Sequence, residues 1–487
     1  MDRLINACLL PGFADGDRLP SWLARDLDRD LAGVAIYGRN LVDENSVSTI
    51  ARSVHERSPN ALVALDEEGG DVTRLEYRRG SSYPGNLALG VLDDVRVTAN
   101  VASAIAQDLV AAGVNYDFAP SVDVNSDPRN PVIGVRSFGG DPQLVARHGA
   151  AFISAMQEYG VACAAKHFPG HGATVADSHH ALPVIDCDES TFRTRELPPF
   201  VAAVEAGVRS VMTSHVVFAA LDPDEPATLS GRLLQDLLRR DLGFTGVIVT
   251  DALDMRAVAD RYGIAGAAVR ALAAGADLLL VGAVDGEQPC AEIREHVRSA
   301  IGDGALNLSR LEDAAERVRE LRSWISSRGA GRHFPRGDDS FPSVGIEAAR
   351  RALRVIGDVR VSGPVLVVEV CAPSNPAVGE AHWSLSEPLA DLGLDVETLR
   401  LTEDNAASDE VVRRGRGRDV VVVVRDAYRR DWQRTSVEKL LSVRPDAVLV
   451  AIGMPDDAAL ARGRAVLTFG AARVNTQAAA EAIAGRR

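Results

Sequence analysis

Over residues 1 to 325, short β-branched runs alternate with longer amphipathic stretches, and this alternation limits the chain to very few folds. The runs are Ala7–Leu10, Gly33–Tyr37, Leu62–Leu65, Asn115–Ala119, Val161–Ala165, Ser210–Met212, Val247–Thr250 and Leu278–Val281, eight in all. Segments long enough for a crossover helix lie between most of them, among them Val95–Ala112, Pro142–Tyr159, Leu197–Ala206 and Met255–Ala274. Eight such units fit a closed (β/α)8 TIM-like barrel better than an open doubly wound sheet.

Beyond the eighth unit, Arg328–Ser343 is rich in Gly, Pro and charge and has no apolar period, so it reads as a linker. A second series follows: Val365–Val370, Val396–Leu401, Val420–Val424, Ala447–Ile452 and Ala465–Thr468. Most of these runs are apolar on both faces and alternate with helical stretches such as Thr435–Ser442. That pattern predicts a smaller α/β/α layer domain with a parallel sheet. The expected organisation is a catalytic barrel over residues 1–327, a linker over 328–343 and a layer domain over 344–487. A length of 487 residues suits two or three domains.

Composition excludes some functions. A net charge of −15 argues against a nucleic-acid partner, whose phosphates favour a basic surface. No apolar run approaches the ~20 residues that a bilayer span requires, so no membrane partner is expected. The opening MDRLINACLLPGF lacks a basic leader and a small-residue cleavage site, and it reads as structure rather than a signal peptide. Cys8, Cys163, Cys187, Cys290 and Cys371 are dispersed, with no CxxC pair, which predicts reduced thiols and a cytoplasmic setting. Oligomeric state is not legible.

The chemistry concentrates where strands end. ALVAL runs into Asp66-Glu67-Glu68-Gly69-Gly70, and VACAA runs into Lys166-His167-Phe168-Pro169-Gly170-His171-Gly172. SVMT leads to Ser214-His215, and VIVT leads to Asp251. In a parallel barrel such positions share the rim that carries reactive groups. Taken singly, each could be a polar residue facing water at a strand end, and Asp251 could be a helix cap. Five of the ten histidines fall between residues 167 and 215, which marks this segment as a site.

Metal binding is the first rival reading. His167 and His171 have the i, i+4 spacing of a helical zinc pair, but Pro169 and Gly170 break any helix between them. Neither a metal nor an organic cofactor is expected. A sugar-cleaving site requires a carboxylate at an oxocarbenium-like centre and a proton donor for the leaving oxygen. Asp251 is a candidate for the carboxylate; residue chemistry alone leaves the donor open.

The segment KHFPGHG (Lys166–Gly172), followed by Asp177-Ser178-His179, resembles the signature of family 3 glycoside hydrolases, in their bacterial β-N-acetylglucosaminidase branch. Further agreement lies in Ile36–Asn40, Asp66–Gly70, NPVIGVRSF (Asn130–Phe138), Met212–His215, ATLS (Ala227–Ser230) and TDALDM (Thr250–Met255), in family order. The resemblance implies that Asp251 is the nucleophile, His179 the acid/base and Asp177 its partner. It implies that Asp66, Arg136, Lys166 and His167 grip the terminal sugar, with His171 and His215 in supporting roles. Asp71 departs from the pattern, since the family usually places Arg after the two glycines, and Val135 stands where a polar residue is common.

A histidine suits the acid/base role because its ordinary pKa of ~6.5 lets it donate and then accept a proton near neutrality. Asp177, two residues earlier, could hold its tautomer. The expected function is a retaining exo-β-N-acetylglucosaminidase acting on small sugars or muropeptides from peptidoglycan turnover. The alternative is a phosphorylase in which inorganic phosphate resolves the intermediate, since an imidazole acid/base would not repel that anion. A sugar binder on an inactive barrel and a plain β-glucosidase are weaker readings, given Asp251 and the Asp177/His179 pair.

Overall fold

The computed structural model describes residues 1–14, 16–174, 182–282, 285–329, 341–371, 383–405 and 408–486. The chain forms two compact units. The first comprises Met1–Glu68, Val95–Ile133 and Gly139–Asp338; the second comprises Gly69–Asp94, Gly134–Phe138 and Asp339–Arg487. The chain therefore enters the second unit twice before its C-terminal third. Strand periodicity cannot reveal such excursions, because they contain no strand.

In the first unit the eight expected runs form strands: β1 (Leu9–Pro11), β2 (Gly33–Ala35), β3 (Leu62–Leu65), β4 (Tyr116–Asp117), β5 (Ala162–Phe168), β6 (Ser210–Thr213), β7 (Val247–Val249) and β8 (Leu279–Gly282). β2 to β7 pair in that order as a parallel sheet, and β1 pairs in parallel with β8. A parallel bridge from Val249 to Leu278 joins β7 to the start of β8. On the other side, Ala32 N donates to Asn6 O across 3.0 Å just before β2 and β1. One core cluster draws side chains from all eight strands, among them Leu10, Ala35, Leu62, Tyr116, Ala164, Met212, Val249 and Leu280. That shared interior is what a curled (β/α)8 sheet requires, and it explains why these strands read as apolar on both faces. At the barrel's core Tyr116 Oη and Ser210 Oγ, both buried, hydrogen-bond across 2.7 Å.

All barrel strands run parallel, so their carboxyl ends share one rim. The intervening helices match the amphipathic stretches closely, with Val95–Ala111, Pro142–Glu158 and Arg256–Ala274 among them. The helix Leu308–Gly329 ends inside the stretch expected as a linker, and the helix Phe341–Ala352 begins within it. Residues 330–340 lie outside the described residues. The five cysteines are free thiols, and burial pushes the Cys290 thiol up to about 12. Among the described residues no helix is long and apolar enough to cross a membrane.

The second unit holds a six-stranded sheet: β9 (Arg354–Ile356), β10 (Val365–Val370), β11 (Val396–Leu401), β12 (Asp419–Val424), β13 (Val448–Ala451) and β14 (Ala465–Leu467). The order is β9-β14-β13-β12-β10-β11, parallel except for the antiparallel edge strand β9, which the sequence pattern did not single out. Alternate residues face two separate cores. Leu366, Val368, Val422 and Leu449 pack on one face with Val437, Leu440 and Leu441 of the helix Asp431–Val443. Val365, Val367, Val421 and Val450 pack on the other with Leu389, Ala479 and Ile483. Leu87, Ala88 and Val135 join the first of these cores, which explains why segments from early in the chain belong to this unit.

Chain order reverses direction between β10 and β12, and in open parallel sheets such a switch point leaves a crevice at the carboxyl ends that commonly takes a ligand. Here the chain supplies its own anion. Asp71 pairs with Arg425, just past β12, and its Oδ1 accepts a 2.7 Å hydrogen bond from Ala471 N before the helix Arg473–Ile483. The Trp383 ring lies against the Arg425 guanidinium, 4.1 Å from ring centroid to Cζ. The acidic departure at position 71 thus has its own basic partner within this unit.

Removing either member of a buried ion pair strands its partner's charge and costs about 3–5 kcal/mol. Asp71→Ala and Arg425→Ala should each lower the unfolding free energy of the second unit, read from urea denaturation, by that order. Their double variant should lose less than the sum, by a coupling of about 0.5–3 kcal/mol. Additive losses would show that the two side chains do not interact.

Candidate active site

The site grows from the carboxyl ends of β3 to β7. β5 extends through Phe168, so Lys166 and His167 lie on the strand itself rather than on the loop after it. The Lys166 side chain is 1% exposed, and an isolated ammonium there would be very unfavourable. Two carboxylates answer it: Asp66 Oδ1 at 2.6 Å and Glu68 Oε1 at 2.7 Å, both just past β3. Asp66 is the more open of the two acids, with its side chain 22% exposed against 2% for Glu68.

The next residue, His167, turns to Asp123. Its Nδ1 lies 2.7 Å from Asp123 Oδ2, and its backbone N–H donates to Oδ1 over 3.2 Å. His171 N donates to the same Oδ1 at 2.7 Å, and Ser121 Oγ donates to Oδ2 at 3.0 Å. Burial alone would raise the Asp123 pKa, but the adjacent His167 ring, its hydrogen bonds and His171 together hold it below the usual carboxylate range. An ionised Asp123 holds a proton of the His167 ring on Nδ1 and so orients the ring, with Nε2 at its far side.

The turn from His167 to Gly172 is held elsewhere too. Asn130 Nδ2 donates to His171 O at 2.8 Å, while Asn130 Oδ1 accepts from Val132 N and Ile133 N at 2.9 and 2.8 Å. A Cβ on Gly172 would sit 1.9 Å from Val124 O, so only glycine fits this close approach. Burial, and then the neighbouring His167, push the His171 pKa down to about 4, so its ring is neutral at pH 7. The Asp251 carboxylate acts on His171 in the opposite sense.

At the end of β7, Asp251 is partly exposed, and its Oδ1 accepts from Ala252 N at 2.8 Å. His215, past β6, is buried and reaches across to Ala252 O with Nε2 at 2.9 Å. The Tyr37–Asn40 motif is a structural latch: Asn40 Nδ2 donates to Ala14 O and Gly16 O, and its Oδ1 accepts from Tyr37 N. Among the described residues no group of three or more His, Cys, Asp or Glu is placed to hold a metal ion.

The structure brings Asp66, Lys166 and His167 into linked networks and puts Asp251 on the same rim. Arg136 belongs to the second unit, at the end of the turn Gly134–Arg136, where its carbonyl accepts from Asn86 Nδ2 at 2.7 Å. His179 and Asp177 lie outside the described residues. The sequence names Glu68 and Asn130 only within motifs, without a role, and does not single out Asp123. Asp123 had a signal: an acid between Val122 and Val124, in an apolar run directly after a strand.

Behind the turn, Glu196 is almost fully buried; its Oε1 accepts from Arg195 Nε at 2.6 Å, and Oε2 faces the Cα of Gly170. Burial raises its pKa from 4.5 to about 7. A pKa raised on folding favours the native state fully below the unfolded value, and that contribution disappears as pH climbs through the folded value. Wild-type stability should therefore fall between pH 4.5 and about 7, by on the order of 3 kcal/mol from this group. Glu196→Gln should remove that part of the pH dependence in thermal unfolding. An unchanged profile would mean that Glu196 does not titrate there.

Comparison with known proteins places this geometry. The family described as "Glycosyl hydrolase family 3 N terminal domain" matches residues 10–321. A β-hexosaminidase A of Pseudoalteromonas piscicida is 32% identical over 372 residues, covering 71% of this chain and 62% of that protein, so the chain spans under two thirds of that relative. A β-hexosaminidase of Nitrosomonas eutropha is 35% identical over 259 residues, covering 52% of this chain and 73% of that protein. The structure of a glycoside hydrolase family 3 β-N-acetylglucosaminidase from Paenibacillus sp. str. FPU-7 superposes with a TM-score of 0.90 at 30% identity, covering 100% of this chain and 97% of that one. With the barrel, its charged rim and a match over most of the first unit, the chain belongs to glycosyl hydrolase family 3.

Proposed function

We propose that the chain is a retaining exo-β-N-acetylglucosaminidase that uses Asp251 as nucleophile and His179 as acid/base, with Asp177 orienting the imidazole. One observation carries the reading: parallel strands put the Asp251 carboxylate on the same rim as the Asp66–Lys166–Glu68 ion network and the ordered His167 ring. The names of the hexosaminidase relatives support the 2-acetamido sugar as substrate.

Asp66 carboxylate, Lys166 ammonium and the Nε2 of His167 offer acceptors and donors to hydroxyls of a terminal sugar; Arg136 is assigned to the same sugar by the family resemblance alone. An Asp251 oxygen attacks the anomeric carbon as the glycosidic C–O bond breaks. The proton on the His179 ring goes to the departing oxygen. In the second step His179 takes a proton from water as that water attacks the anomeric carbon, and the Asp251–sugar bond breaks. Two inversions give net retention. The barrel carries this chemistry, and small sugars or muropeptides in a reducing cytoplasm suit a chain whose cysteines are free thiols.

Asp251→Ala should lower kcat by about a thousandfold or more, since the nucleophile acts as a unit with its partners, while N-acetylglucosamine still binds. His179→Ala should slow poor leaving groups by about 10²–10⁴-fold and spare activated aryl glycosides. Equal losses on both substrate classes would count against the acid role. A 2-fluoro sugar should label Asp251, as read by peptide mass spectrometry. Turnover with and without inorganic phosphate should yield free N-acetylglucosamine in both cases, and accumulation of a sugar 1-phosphate would establish the phosphorylase instead.

A further inference from the structure

His215 occupies a motif position to which the resemblance gives only an unspecified supporting role, and its surroundings give it a specific task. It is fully buried at the end of β6, and its ring spans two elements. Nε2 is 2.9 Å from the carbonyl of Ala252, and Nδ1 is 2.8 Å from Thr228 Oγ1. A carbonyl only accepts, so Nε2 carries a proton and donates it. Thr228 Oγ1 has one proton and two acceptors within reach, His215 Nδ1 and Ser214 O at 2.9 Å. Thr213 Oγ1 lies 2.7 Å from Thr228 Oγ1, and either hydroxyl can donate to the other. Whether Thr228 serves Nδ1 or Ser214, the Nε2–H bond to Ala252 persists.

That carbonyl belongs to the residue directly after Asp251. The turn there has its own bonds: Met255 N donates to Ala252 O at 3.1 Å, and Leu253 N donates to Leu280 O at 2.9 Å on β8. Asp251 Oδ1 itself accepts from Ala252 N. The turn thus closes without His215, and what the ring adds is a lateral fix on the segment that aims the Asp251 carboxylate. A carbonyl has two lone pairs, and here one serves the turn while the other serves His215.

We propose that His215, held by Thr228 and Thr213, is a positioning residue that sets the attack geometry of Asp251 through the Ala252 carbonyl. The assignment rests on Asp251 being the nucleophile. It predicts an effect on bond making to the anomeric carbon and none on sugar binding. A misplacement of about 1 Å in a reacting group can cost on the order of a hundredfold in rate.

The test uses the full chain, an aryl N-acetylglucosaminide, N-acetylglucosamine as competitive inhibitor and labelling by a 2-fluoro sugar. His215→Phe keeps the ring's bulk without the donor, and His215→Gln restores an N–H near the Nε2 position. H215F should lower both kcat and the labelling rate on the order of a hundredfold, with the inhibition constant unchanged. H215Q should recover most of the loss. Thr228→Val, which removes the hydroxyl shared by His215 Nδ1, Ser214 O and Thr213 Oγ1 but leaves the Nε2–H donor in place, should give a smaller fall in kcat, again with inhibition unchanged, and it decides the matter if H215F does not fold. The proposal is overturned if inhibition weakens in step with kcat, if H215Q is as impaired as H215F, or if T228V keeps the wild-type rate. Labelling of a residue other than Asp251 in the wild type would instead refute the nucleophile assignment, and this inference with it.

Discussion

One buried carboxylate, Asp123, organises the rim at the carboxyl ends of the barrel strands. It receives the His167 ring, two backbone N–H groups from opposite ends of the His167–His171 turn and the Ser121 hydroxyl. Without it, those buried donors would lose their partner together, each at about 1–3 kcal/mol. The turn could then no longer hold the shape that Gly172 and Asn130 accommodate. Lys166 lies on the strand that enters this turn, so the ordering of His167 and the ordering of the lysine between Asp66 and Glu68 have one origin. The fold uses charge to hold charge, leaving Asp66 as the more exposed member of the network.

The sequence was legible wherever a rule of local spacing applied. All eight barrel strands followed from short β-branched runs, because strands covered on both faces have no polar side to blur the pattern. Four of the five long runs of the second sheet followed for the same reason, while Val396–Leu401 is largely uncovered and showed itself only by alternating apolar and polar residues. The edge strand β9 did not, since Arg354, Val355 and Ile356 are all exposed and lack that pattern. Pairings across the fold had no local mark at all: Lys166 lies 100 residues from Asp66 in sequence, and the ion pair exists only once β3 and β5 share a sheet with β4 between them. Asp66, Lys166, His167 and Asp251 stood out in the sequence because strand ends are where a barrel puts its chemistry. Asp123 was passed over because an acid inside an apolar run offers no motif, only an oddity.

His215 and Asp251 illustrate two kinds of information in the same rim. Asp251 could be suspected from its place alone, as a carboxylate at a strand end with a helix to follow. The worth of His215 depends on which carbonyl it meets, and no spacing rule encodes that. The threonines behind it read as ordinary strand and turn residues, yet they keep its ring in one orientation.

The way the chain weaves into its second unit bears on how the protein can be divided. A cut after residue 327 looks natural from the sequence, and it would give a fragment with every barrel strand. That fragment would keep Leu87, Ala88 and Val135 but lose the sheet face on which they pack, and it would keep Asp71 without Arg425. It would carry an apolar patch and a solitary acid in place of a finished surface. A division of this chain that follows its compact units would move residues 69–94 and 134–138 together with the C-terminal sheet.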